Sequence, residues 1–208
     1  MKKILLLLTL SLTLLFSTEF KLQQGWNLMG INANLTLTEL QNQIGINNLL
    51  VIQGPQQVYK KAYVDENIPD QNDFTVLDEN KGYWVKVENN ATVIYNPITN
   101  HQNLHNITLK AGWNLISIPQ SLTLEEVIEK LGRDNLLVIQ GANRTYQRSY
   151  AQQGFNSAND FTAFDTTQGY WIKVAQESSL ELLFNVDKIA IDNTNQAVVS
   201  NITLDNVT

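Results

Sequence analysis

The sequence predicts an α+β, mostly β protein. It is read as two tandem copies of a small curved antiparallel sheet or open barrel, each copy with one short helix. Three observations carry this expectation: an internal repeat, short apolar segments with strand-like alternation, and one helix-start signal in each copy.

The repeat is the strongest of the three. Gly25-Trp26-Asn27-Leu28 recurs as Gly112-Trp113-Asn114-Leu115, and the run Asn48 to Gly54 recurs as Asn135 to Gly141. Asn72-Asp73-Phe74-Thr75 recurs as Asn159-Asp160-Phe161-Thr162, and Gly82-Tyr83-Trp84 recurs as Gly169-Tyr170-Trp171. Every pair has the same offset of 87, as from Gly25 to Gly112, without insertion or deletion. Roughly 40% of aligned positions are identical, far above chance at such a period. Each copy holds several elements, so the pair reads as two small domains rather than a solenoid.

Within one copy, Phe20 to Ile31 reads as a strand, with Ile107 to Ile118 its counterpart. Trp26 and Leu28 point to one face and Met29 and Ile31 to the other. Both faces are apolar, which predicts a central strand. A short helix follows, because Thr36 with Glu39 and Thr123 with Glu126 have capping-box spacing. Leu124, Val127, Ile128 and Leu131 repeat at helical spacing. Gly45 and Gly132 supply the stop. Leu49 to Gln53 suits a buried strand. Gln57 to Val64 alternates, with Tyr59 and Tyr63 on one face, and Asp65 to Asp73 is a polar loop. Phe74 to Leu77, Gly82 to Val87 and Ala91 to Tyr95 complete the copy as strands.

The ends add organisation. Lys2 and Lys3, the apolar run Ile4 to Phe16, and the small residues Ser17 and Thr18 read as a secretory signal. The run is short for a membrane span. The expected division is therefore signal peptide 1–17, module 1 at 18–96, linker 97–106, module 2 at 107–184, and a tail 185–208. The tail alternates around Asp192-Asn193-Thr194-Asn195, as a hairpin or a frayed end. Removing Lys2 and Lys3 leaves 12 basic against 20 acidic residues, so the net charge of −6 becomes −8. No basic stripe points to nucleic acid. Cysteine is absent, so the modules must be held by packing.

A G-W-N-L start and a G-Y-W-[VI]-K-V finish, about 60 residues apart, resemble a tandem module of secreted and surface proteins of bacteria. The likeness covers nearly all of the chain between signal and tail. It implies export, a bacterial source and an accessory role, and it brings no functional residues with it.

Reactive constellations are few. The two histidines, His101 and His105, fall in the linker. No thiol, no G-x-S-x-G elbow and no phosphate-cradling loop is present. Asp65, Glu66, Asp70 and Asp73 crowd one loop as calcium ligands do. The second copy has Gln152, Gln153, Ser157 and Asp160 there, so the module does not depend on a metal. Asp73 and Asp160 read as turn or cap residues. No cofactor and no catalytic residue is expected.

Aromatic residues are the more informative candidates. Tyr83, Val85 and Val87 share one strand face, while Trp84 and Lys86 share the other, as do Trp171 and Lys173. An exposed indole can stack on a sugar ring or a partner side chain. The opposing reading packs Trp84 under the helix or against Trp26, with Lys86 reaching outward. Tyr59, Tyr63, Tyr146 and Tyr150 carry the same ambiguity. Asn90, in an N-x-T sequon preceded by Glu88, is a candidate for glycan attachment.

These features predict a non-catalytic accessory protein, secreted, periplasmic or on the cell surface, whose two linked modules serve adhesion or recognition of a surface protein or glycan. A structural spacer or assembly unit of the envelope is the alternative, joined through a sheet edge. An exported hydrolase ranks last.

Overall fold

The computed structural model describes residues 17–98 and 104–183. The expected signal segment up to Phe16, His101 and the expected tail lie outside the described residues.

Module 1 runs β1 (Thr18–Leu22), β2 (Gly25–Gly30), β3 (Leu35–Thr36), α1 (Leu37–Ile44), β4 (Leu49–Gln53), β5 (Val58–Lys60), α2 (Lys61–Asp65), a 3-10 turn (Pro69–Gln71), β6 (Val76–Leu77), β7 (Gly82–Val87) and β8 (Ala91–Tyr95). Module 2 runs β9 (Leu104–Leu109), β10 (Gly112–Ser117), α3 (Leu124–Leu131), β11 (Leu136–Gln140), β12 (Thr145–Gln147), α4 (Arg148–Gln152), a 3-10 turn (Asn156–Ala158), β13 (Gly169–Val174) and β14 (Ser178–Leu183). The protein is α+β and mostly β. Among the described residues the antiparallel sheets are small, and none closes into a barrel.

The main sheet of module 1 has the order β2-β7-β4-β5, and that of module 2 the order β10-β13-β11-β12. A two-stranded sheet, β1-β8 or β9-β14, completes each module. The helices form where the capping boxes predict. The Thr36 hydroxyl accepts from the Glu39 amide at 3.2 Å while Glu39 accepts from the Thr36 amide at 2.8 Å. Gly45 and Gly132 end the helices at φ 91° and 85°, a region that an L side chain adopts only with strain. Helix α1 buries Leu40 and Ile44. The Gln43 side chain beside them accepts from the Ile94 amide of β8 at 2.7 Å. Each module has its own apolar core, one from Phe20 to Tyr95 and one from Ile107 to Leu182.

Four expectations are corrected. The long first strand is two strands in different sheets, broken at Gln23-Gln24. Gly25 takes φ +91°, and Asn27 closes the turn with reciprocal 2.8 Å bonds to the Gln23 backbone. Secondly, β2 is an edge strand of its sheet, not a central one. Thirdly, the stretch Gln57 to Val64 leaves the strand at Lys60 and turns into α2, so Tyr59 and Tyr63 do not share a strand face. Each module therefore has a second, one-turn helix. Fourthly, β9 begins at Leu104, so His105 and Asn106 belong to a strand rather than to the linker.

The two apolar faces of β2 have a different cause from the expected one. Met29 and Ile31 enter the module's own core. Leu28, only 3% exposed, lies outside that core cluster, as Leu115 lies outside its own. Both leucines pack against glycines of the opposite module: Leu28 against Gly169 and Leu115 against Gly82.

The contact is reciprocal. Gly30 donates its amide to the Thr167 carbonyl at 3.0 Å, and Ser117 donates to the Asn80 carbonyl at 3.1 Å. Gly30 and Ser117 are equivalent positions, as are Asn80 and Thr167. The bridges Met29 to Gln168 and Lys81 to Ile116 exchange in the same way. When residue i touches j and the equivalent of j touches the equivalent of i, the contact is isologous, as across the two-fold axis of a homodimer. Here both halves sit in one chain. Close approach explains the glycines. A Cβ on Gly30 would lie 2.2 Å from the Gln168 carbonyl oxygen, and one on Gly169 would lie 2.8 Å from that of Met29.

Candidate functional site

The outer face of each main sheet carries the aromatic candidates. Along β7, Tyr83, Val85 and Val87 are buried while Trp84 and Lys86 are half-buried. Register places Lys86 opposite Trp26 and Trp84 opposite Leu28. Trp84 is thus the diagonal neighbour of Trp26, within reach of a large ring. The two indoles meet edge to face, 6.3 Å between centroids and 89° between planes. The Lys86 ammonium sits 5.7 Å from the Trp26 centroid. Module 2 repeats this: Trp113 and Trp171 stand at 6.2 Å and 90°, with the Lys173 ammonium 5.6 Å from Trp113.

The edge-to-face arrangement and the cation over the ring each contribute about 0.5–1.5 kcal/mol. They hold the outer indole in one orientation without covering it. Trp26 and Trp113 are each 49% exposed. So Trp84 and Trp171 pack against a neighbouring tryptophan rather than under the helix, and the accessible ring is the other member of each pair. Trp26 and Trp113 were absent from the sequence-predicted site. They sit in a motif whose remaining residues serve the fold, and the apolar pattern of β2 gave no sign that one ring stays in solvent.

The other candidates separate. Tyr59 and Tyr146 are 4% and 3% exposed and belong to the two cores. Neither presents a ring to a ligand, and burial pushes both hydroxyls above their ordinary pKa. Tyr63 is half-buried on α2, with the Lys60 ammonium 3.0 Å from its hydroxyl. Tyr150 is half-buried on α4, but Gln147 stands where Lys60 would be, so that contact does not recur. Asn90 is exposed, and its side-chain Oδ1 accepts from the Gln24 amide at 2.8 Å, tying the β7–β8 turn to the β1–β2 turn. Of the acidic loop, Asp65 pairs with Lys61 at 2.6 Å and Asp73 accepts from the Val58 amide at 2.7 Å. Asp160 does the same for Thr145 at 2.7 Å, so both aspartates hold the start of a short strand.

Beside the second indole pair lies an open groove of about 1070 Å³ between the modules. Module 2 contributes Trp113, Trp171 and the β9 residues Asn106 and Thr108. Module 1 contributes the β4–β5 turn, Gly54 to Gln57, and the loop Asp78 to Lys81. The loop is braced from within: the Asp78 amide donates to the Tyr83 hydroxyl at 2.7 Å, and Lys81 pairs with Asp78. Burial is the main cause that raises the Tyr83 and Tyr170 hydroxyls above their ordinary pKa, so both stay protonated here. A smaller hollow of about 370 Å³ is bounded by Trp113, Gln140 and Trp171.

Comparison of the chain with protein-family models, with characterised proteins and with solved structures returns no match.

Proposed function

We propose that the chain is an exported, non-catalytic recognition protein that binds glycan through its half-exposed indoles. The observation that carries this reading is the doubled indole pair. In both modules a tryptophan that the core does not use stands about half in solvent, and its own sheet fixes its orientation. A rigid aromatic face adds contact area at little entropic cost. Sugar rings present C–H faces to such a surface and hydroxyls to amide side chains, and Gln56, Gln57, Asn80 and Asn106 supply amides along the neighbouring groove. A protein partner would exploit the same rings, but hot spots of protein interfaces lie in desolvated pockets, whereas this surface is open and mixes amide with aromatic side chains.

The test is binding of the full chain to a glycan array, with Trp26→Ala and Trp113→Ala variants beside it. Selective binding that weakens in each variant supports the reading. Absence of binding by the folded protein, or binding indifferent to both substitutions, refutes it.

A further inference from the structure

We infer that the groove beside Trp113 is a shared site, formed by both modules, that accepts a neutral glycan along its chain rather than at its end. This rests on the glycan-binding reading above.

Four features of the groove lead there. The first is its construction. Trp113 and Trp171 form one wall, and the Gly54 to Gln57 turn with the Asp78 to Lys81 loop forms the other. Neither module alone encloses it. The second is its rigidity. Asn80, on the module 1 wall, accepts the Ser117 amide with its backbone carbonyl at 3.1 Å. The same hydrogen bond that joins the modules therefore fixes the width between the walls. A preformed cleft avoids the ordering cost that a flexible one would impose on its ligand.

The third feature is size and shape. Pockets for single small molecules enclose about 300–1,000 Å³. This groove, at about 1070 Å³, matches or exceeds that range and is open, so one monosaccharide would leave most of it to water. A segment of several sugars is needed to fill it, and its open side lets the chain continue beyond. The fourth is charge. Asp73, Asp78 and Glu79 stand against Lys81 and Lys110, three carboxylates against two ammonium groups, in a chain of net charge −6. An anionic glycan meets like charge there. A neutral chain does not, and its hydroxyl or acetamido groups suit the amide-lined wall.

The experiment uses the full chain and titration calorimetry. The probes are β-1,4-linked oligomers of glucose and of N-acetylglucosamine, of two and six units, with a six-unit uronic acid oligomer as the anionic counterpart. Variants are Trp113→Ala on one wall and Gln56→Trp on the other, where a bulky side chain on an exposed turn residue obstructs that wall. At least one neutral hexamer binds tenfold or more tighter than its dimer and than the uronic hexamer. Each substitution weakens that hexamer tenfold or more. Amide chemical shifts in the unmodified protein change at Gly54 to Gln57 as well as around Trp113, which tests the shared wall even where a variant fails to fold.

Hexamer binding that depends on Trp113 but spares both Gln56→Trp and the Gly54 to Gln57 shifts confines the site to module 2. Equal affinity for dimer and hexamer removes the chain-binding claim, and preference for the uronic oligomer removes the neutral one. Each of these outcomes overturns the inference while leaving the glycan-binding reading standing. Failure of both neutral hexamers to bind the folded chain overturns the inference too. The glycan-binding reading then stands or falls on the array.

Discussion

Substituting Gly30 by alanine tests how the modules are joined. Gly30 has no left-handed backbone, so alanine introduces no strain of its own. The cost is steric. The added Cβ would lie 2.2 Å from the Gln168 oxygen and 2.7 Å from the Ser117 Oγ. Restoring ordinary contact moves the Gln168 backbone by about 1 Å, and overpacking of this kind costs about 1–3 kcal/mol. That displacement stretches the Gly30 to Thr167 hydrogen bond at 3.0 Å and loosens its reciprocal, Ser117 to Asn80, at 3.1 Å. Each is worth about 1 kcal/mol. With the two bonds weakened rather than broken, together losing about 1 kcal/mol, the total loss is about 2–4 kcal/mol, a large share of an ordinary domain's stability. Urea unfolding followed by tryptophan fluorescence reads it as a lower midpoint and as separation of one transition into two, one per core. Gly25→Ala is the control. Its φ is +91° with nothing within 4 Å of a Cβ, so it costs about 1–2 kcal/mol of backbone strain without dividing the transition. A Gly30→Ala protein with the midpoint and single transition of the unmodified chain would refute the reciprocal contact.

Three further outcomes follow from the structure. Thr36→Ala and Thr123→Ala each remove a capping hydroxyl and lower stability by about 1 kcal/mol, measured by denaturant midpoint; the hydroxyl and backbone of Thr36 also hold the Glu39 carboxylate below its ordinary pKa. Leu115→Ala, buried against Gly82 of module 1, costs about 2–5 kcal/mol and divides the unfolding transition as Gly30→Ala does, whereas truncating Ile52 in the module 1 core lowers the midpoint without dividing the transition. Burial raises the Tyr83 and Tyr170 hydroxyls and pushes Tyr95 up to about 12. The unfolded chain loses these protons from about pH 10, where the folded chain still keeps them, so stability is complete below pH 10 and falls as pH rises from 10 toward 12; thermal melts across that window show the decline.

Local signals in the sequence were legible where one residue decides one bond. The T-x-x-E spacing located both capping boxes, Gly45 and Gly132 marked both helix ends, and the alternation along Gly82 to Val87 assigned both faces of β7. Asp73 and Asp160, read as turn or cap residues, instead hold the first amides of β5 and β12. What periodicity cannot distinguish is the identity of the neighbour. Leu28 reads as apolar whether it enters its own core or meets another module, so β2 looked central although it is an edge strand. Gly30 and Gly82 carry no side chain to report the approach of Gln168 or Leu115. The groove escaped notice for the same reason, because its walls are far apart in the chain and meet only through the isologous contact.

The G-W-N-L motif shows how four adjacent residues divide the work. Gly25 takes the left-handed turn, Trp26 stands on the surface, Asn27 clamps the turn and Leu28 joins the modules. Only the tryptophan has no structural duty that requires exposure. Replacing it removes roughly 100 Å² of buried surface, about 2.5 kcal/mol at 25 cal/mol per Å². Neither apolar core includes this tryptophan, so a denaturant midpoint measured beside the binding titration separates its part in stability from its part in binding.

The most direct measurement is the side-chain NMR spectrum of the four indole N–H groups during titration with a neutral glycan hexamer. Saturable shifts are expected at Trp113 and Trp171, with affinity matching calorimetry. Saturable binding that leaves all four indole signals unmoved would contradict it.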